Sequence, residues 1–263
     1  KEFDPLALES APVEKVDTGG GMKVFVEGSI GATSTRFGLS DYDTQRASLD
    51  LSYSGRVAPG LRAVFSDRID ILHPAATGVD STVNSLREAY LSWQIEGAGT
   101  IVDVGRINVR SGPGYGYNPT DFFRDGSLRV LTSADPFALR QNRLGSVMLR
   151  GQKIWLDGSL SVAVSPKLAS SPSSDGWGLD LGSTNNRDRV LVTLGTKLSE
   201  SVNTQVLLYK EHGLSASIGA NMTALLSDAA VAHIEWTRGT EPDLLSRVLP
   251  TNARSATRNR FVG

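Results

Sequence analysis

The chain has 263 residues, enough for one large β domain or two average ones, a net charge of -1 and no cysteine. The missing thiols exclude disulfides, thiolate zinc sites and cysteine nucleophiles, and the near-neutral balance, with no fitting motif, argues against a nucleic-acid partner. Apolar residues make up 40% and the mean hydropathy is -0.15, with no run approaching the roughly 18 apolar residues of a membrane-spanning helix.

Residues 1–21, beginning "KEFDPLALESAPVEKVDTGG", read as a polar, mobile leader, and 22–263 as one domain with no later break in composition. From Met22 onward the dominant period is two. In "ASLDLSYSGRV", Ala47, Leu49, Leu51 and Tyr53 alternate with Ser48, Asp50, Ser52 and Ser54. "SLSVAVS", "RVLVTLGTKL" and "VAHIEWT" alternate in the same way. No equally long stretch carries a helical stripe, so the fold class is all-β and antiparallel.

About twelve strands follow, at 22–33, 45–57, 61–72, 84–95, 100–110, 143–154, 158–167, 188–198, 204–212, 214–223, 229–238 and 257–263. They run longer than the five or six residues of an ordinary globular strand and suit a tilted strand crossing a bilayer. Connections alternate short ("APG", "EGAG", "LDG", "SESVN", 224–228) and long (34–44, 73–83, 111–142, 168–187, 239–256), with one exception near His212 and Gly213. Tight turns on one rim and long loops on the other predict a transmembrane β-barrel with lipid outside it. Trp93 and Trp155 beside short turns, and Trp236 near the other rim, fit two interfacial aromatic girdles. A soluble β-sandwich with core tryptophans and a binding role is the alternative of a different class.

In a membrane barrel the apolar face meets lipid and the polar face lines the lumen. That rule puts Asp50, Arg56, Arg62, Arg68, Asp70, Glu88, Arg106, Arg110, Arg150, Arg189, Lys197 and Glu235 inside, eight basic against four acidic. A basic excess favours small anionic or zwitterionic solutes, whereas pairing across neighbouring strands would make the same charges a filling of the interior. In 100–110 this phase leaves Asp103 on the apolar side, and the phase of 204–212 stays open.

Catalysis has one foothold, His233 two residues before Glu235, which could serve a Ser–His arrangement in an outer-membrane phospholipase. No "GxSxG" elbow accompanies it, and the expectation is a protein that is not an enzyme. The carboxylates Asp41, Asp43, Asp175 and Asp180 lack the order of an EF-hand, the histidines lack metal-ligand spacing, and no cofactor is expected.

The longest connection opens on "GRINVRSGPGYGYNPTDFFRDG". Its glycines match neither a dinucleotide fingerprint nor a phosphate loop, and no helix pattern follows. "NPTD" is a turn signal, and a short helical turn is expected through "PTDFFRDG". The loop's length and aromatic content make 111–142 a candidate constriction packed on the inner wall above Arg106 and Arg110. Its candidate lining is Tyr115, Tyr117, Asn118, Asp121, Phe122, Phe123 and Arg124.

"LREAYLSWQ", "DVGRINVR" and "GYNPTDFF" together resemble a proteobacterial outer-membrane porin-like family, whose members carry an "EAY" strand, a short turn and a "GR…WG…NPxD" block. Glu88, Tyr90, Gly105, Arg106, Arg110, Asn118, Pro119 and Asp121 match, while Ser111 stands where the family usually has Trp. The resemblance covers about 40 residues and implies a barrel in the outer membrane of a Gram-negative bacterium, passing small diffusing solutes, with homo-oligomer formation left open. Related barrels finish on a strand ending in an aromatic residue, so "RNRFVG" gives the expectation that these residues are the N-terminal part of a larger barrel.

Overall fold

The structure is a computed structural model that describes residues 21–34, 42–74, 80–114, 118–129, 141–242 and 258–262. The leader, Tyr115 and Tyr117, Asp41, and parts of the long connections lie outside the described residues.

Twelve strands form one sheet in sequence order, each antiparallel to the next. They are β1 (Gly21–Thr33), β2 (Tyr42–Ala58), β3 (Leu61–His73), β4 (Thr82–Ile95), β5 (Thr100–Ile107) and β6 (Ser146–Trp155). The rest are β7 (Gly158–Ser165), β8 (Arg189–Ser199), β9 (Val202–Glu211), β10 (Ser217–Ser227), β11 (Ala230–Pro242) and β12 (Arg258–Val262). Strand number and most boundaries agree with the alternation read from sequence. β5 stops at Ile107, three residues early. The helical turn expected at 119–126 is instead a chain of turns, in which Asp121 N donates to Asn118 O, Arg124 N to Asp121 O and Ser127 N to Arg124 O. One four-residue helix, α1 (Leu181–Thr184), lies in the connection after β7.

The two faces of the sheet differ in the sense opposite to a soluble protein. One carries exposed large apolar side chains on strand after strand: Phe65, Leu91, Val104, Leu149, Val162, Leu194, Val206, Leu208, Ile218 and Ile234. Trp93 and Trp155 are exposed there too, at the ends of their strands, whereas Trp236, expected near the other rim, lies at the middle of β11 because that strand runs on to Pro242. The other face buries Ser48, Arg68, Asp70, Asp103, Arg189, Asn221 and Thr237. Period-two alternation sets this contrast within each strand, and the antiparallel register carries it from strand to strand.

The sheet curls with its polar face on the inside. Gly112 lies against the Glu235 carboxylate on β11, five residues after β5 ends at Ile107. Five extended residues span at most about 18 Å. Six strand spacings separate β5 from β11, about 29 Å on a flat sheet. A glutamate side chain does not bridge that difference, so the wall must curve toward the loop. Among the described residues no ladder joins β1 to β12, the two ends of the strand order.

Candidate functional site: a loop seated on the polar wall

The connection after β5 is drawn across the concave face by specific side chains. Glu235 accepts from the Gly114 amide at 2.6 Å and from Thr120 Oγ1 at 2.9 Å. Asn118 Nδ2 donates to Ser111 O at 2.7 Å and Gly114 O at 3.1 Å, closing the loop on itself. Gly112 has φ +71°, and a Cβ there would run into Thr120 Oγ1 and the Glu235 carboxylate, so a side chain is excluded on two counts.

Phe122 stacks on Tyr209 of β9, ring centroids 4.7 Å apart and planes within 6°. Phe123 meets the same ring edge-on, and the Arg189 guanidinium lies over Phe123 at 4.6 Å. Ile107, Met148, Ala163, Leu191 and Leu207 complete this apolar cluster on the inner wall. Burial of these rings supplies the non-directional part of the loop's attachment, and stacking adds geometry to it.

Behind the turns, Arg143 and Asp121 form an ion pair, both side chains 3% exposed, with Nη1 donating to Oδ2 at 2.6 Å. Arg143 also donates to Asn108 Oδ1 and Val109 O, which ties the end of the loop to its beginning. Arg129 donates to the carbonyls of Asn84, Gly178 and Asp175, joining this loop to β4 and to the connection after β7. Asp175 and Asp180, weighed above as cation ligands, accept from loop groups: Asp175 from Trp177 N, and Asp180 from Ser173 N and Ser183 Oγ.

On the wall itself Asp50, Arg68, Asp70 and Arg150, four of the twelve charges expected inside, form ion pairs. Arg68 reaches Glu27 at 3.0 Å, Asp50 at 2.6 Å and Asp70 at 3.1 Å, and Asp70 also accepts from Ser48. Arg46 joins at Glu27, and Arg87 joins at Asp50. Arg87 is the extra residue where the β3–β4 register slips between Ser66 and Asp67, which lets it reach this network.

Over 100–107 the phase read from sequence is corrected. Asp103, 1% exposed, takes the Arg150 guanidinium at 2.7 Å on the polar face. Ile107 shares that phase and is buried under the loop. Alternation then sets Arg106 on the opposite side of β5 from Asp103. It donates to Gly145 O at 2.9 Å and Leu179 O at 2.6 Å, as a buried clamp between the two connections. Gly105 has φ +133°, and a Cβ there would collide with Ala89 O.

The remaining candidates are placed as follows. Glu88 accepts from the Asn108 amide at 3.2 Å, and Arg124 is exposed on the turns. Arg62 Nε donates to Ser54 Oγ at 2.9 Å. Arg56 and Lys197 are exposed, and Arg110 is half-buried; among the described residues these three make no side-chain hydrogen bond or ion pair. His233 Nδ1 lies 2.8 Å from Thr223 Oγ1 while Glu235 holds the loop, so the two residues serve different partners.

Sequence reasoning missed Arg143, Arg129 and Tyr209. Arg129 had no periodic neighbours to mark it, and Arg143 opened the strand expected at 143–154, which begins instead at Ser146. Tyr209 sits in "VLLY", where both faces are apolar and alternation carries no phase.

The fold and its seated loop define an all-β, antiparallel meander whose polar face is turned inward. No protein-family model matches the chain, and no curated protein does. Among solved structures it is similar to a triple mutant of the Rhodopseudomonas blastica porin, at 12% identity and a TM-score of 0.34, over 83% of this chain and 90% of that one. A double mutant of the same porin gives 10% identity and a TM-score of 0.34, over 84% and 89%. Likeness at this level establishes neither family nor function. No helix among the described residues is long and apolar enough to cross a membrane, which has no bearing on crossing by strands.

Proposed function

We propose that the chain forms the wall of an outer-membrane, porin-like channel for passive diffusion of small solutes. The carrying observation is the inverted polarity of the sheet. Large apolar side chains stand exposed along one face, with Trp93 and Trp155 at strand ends, while charges are buried and paired on the other. Water would penalise such an apolar face, and a bilayer would solvate it.

The loop after β5 is the constriction in this reading. It lies across the polar wall from β5 to β11, held by Glu235, Tyr209 and Arg143. Of the charges expected inside, Arg56, Arg110 and Lys197 have no protein partner among the described residues, and all three are basic. They support a preference for anions over cations.

The test is reconstitution of the full chain into planar bilayers. The expected result is stepwise ohmic conductance with anions more permeant than potassium in a salt gradient. A chain that stays in the aqueous fraction without detergent and never inserts would overturn the reading. Unchanged conductance after shortening the loop between Gly114 and Arg143 would refute the constriction alone.

A further inference from the structure

Two short turns on the same rim, 58–60 and 96–99, hold charges of opposite sign on one cavity of about 600 Å³. Arg56, Gln94 and Glu96 line it, together with the apolar Val57, Pro59 and Ile95. Arg56 and Glu96 are both exposed, and among the described residues neither makes an ion pair or a side-chain hydrogen bond. Arg62, opposite Arg56 on β3, is turned to Ser54 and lies outside the lining.

Both turns are clamped to neighbouring strands. Gln94 N donates to Gly60 O at 2.7 Å, and a Cβ at Gly60 would lie 2.9 Å from Gln94 O. Ile154 N donates to Gly99 O at 2.8 Å, and Lys153 Nζ donates to Ala98 O. Gly60 and Gly99 have φ +69° and +56°, where a side chain would add strain. The register of β2 against β3 shifts between Arg56 and Ala58, a bulge that re-aims the strand end beside the cavity. This frame keeps a guanidinium and a carboxylate on one cavity without joining them.

A guanidinium takes a carboxylate through two parallel N–H donors, and a carboxylate takes an ammonium. A ligand with both ends satisfies both groups, whereas a simple anion meets repulsion from Glu96 and a simple cation from Arg56. An extended dipeptide sets its termini about 7 Å apart, and a cavity of several hundred Å³ admits it. We propose that Arg56, Gln94 and Glu96 form a site for short zwitterionic peptides at the short-turn mouth. Arg56 takes the terminal carboxylate, Glu96 the terminal ammonium and Gln94 the peptide group, while Val57, Pro59 and Ile95 meet a side chain. The proposal rests on the channel reading for what the site is used for; the binding itself is measured without conductance.

The experiment is calorimetric titration of alanyl-leucine into the full chain, folded in non-ionic detergent. Saturable binding is expected for the wild type, with loss for the N-acetylated dipeptide and for the dipeptide amide. Binding should weaken at least fivefold in Arg56→Gln and in Glu96→Gln, and stay unchanged in Lys210→Gln. The exchanged pair Arg56→Glu/Glu96→Arg keeps one charge of each sign and should recover binding in part. Absence of saturable binding, equal binding of the blocked peptides, or glutamine variants that bind like the wild type would overturn the proposal. So would free leucine binding as tightly as the dipeptide. If a variant fails to fold, the blocked peptides on the wild type decide. A chain that binds the dipeptide yet conducts nothing would sink the channel reading and leave the site standing.

Discussion

Thr120 and Glu235 stand 115 residues apart in the chain and meet at 2.9 Å across the concave face. With the Gly114 amide on its other oxygen, Glu235 is the point at which β11 holds the loop that leaves β5. Hydrogen bonds to a charged acceptor are each worth about 1.5–3 kcal/mol. Glu235→Ala is therefore expected to loosen the loop while the strands remain paired. Single-channel conductance should rise or become noisy, and trypsin should reach Arg124 and Arg129 sooner. A trace and a cleavage pattern identical to the wild type would show that the aromatic contacts hold the loop without it.

Arg143 and Asp121 are paired in burial, so removing one partner leaves the other charged and uncompensated. Breaking such a pair costs about 3–5 kcal/mol. Arg143→Leu should lower the urea midpoint of the detergent-folded protein more than Asp121→Asn, which keeps an acceptor for the guanidinium. Equal effects of the two substitutions would count against this asymmetry.

The stack of Phe122 on Tyr209 is a direct aromatic contact between loop and wall. Aromatic pairs of this kind contribute about 0.5–1.5 kcal/mol beyond the area they bury. A double-mutant cycle with Phe122→Leu and Tyr209→Leu should return a coupling of that size when loop proteolysis is followed. Strict additivity would mean that the rings are neighbours without mutual stabilisation.

Val206 lies mid-strand on β9 with its side chain 48% exposed. On the surface of a soluble protein an arginine there would be close to neutral. Facing lipid near the bilayer midplane, it costs about 2–4 kcal/mol. Val206→Arg should therefore reduce folding into bilayers, read by heat-modifiable gel mobility, and change little in the aqueous behaviour of the unfolded chain. Equal folding yields for wild type and variant would place this face in water.

Much of the fold was legible because a strand's alternation is local. "ASLDLSYS" needs no partner to show which residues share a face, and turns such as "APG" mark its ends. Legibility failed where the local pattern was symmetric or broken. "VLLY" is apolar on both faces, which hid Tyr209. "DVGRI" places charges three apart around Gly105, so Arg106 suggested one phase while Asp103 held the other. A helical turn was expected in "PTDFFRDG", where successive turns formed instead, because Asp121 is drawn to Arg143 and both phenylalanines to Tyr209.

The sequence by itself determined an all-β antiparallel chain, its twelve strands, the apolar and polar faces of most of them, and the two unequal rims. Each of these follows from contacts within a few residues or from the period of the backbone. The tertiary structure alone decided which charges neutralise one another and what the longest connection touches. Arg68 gathers three carboxylates from three strands, and Glu235 takes hold of a loop six strands away. Such partnerships depend on sheet register and curvature, which arise when the meander curls around its polar face.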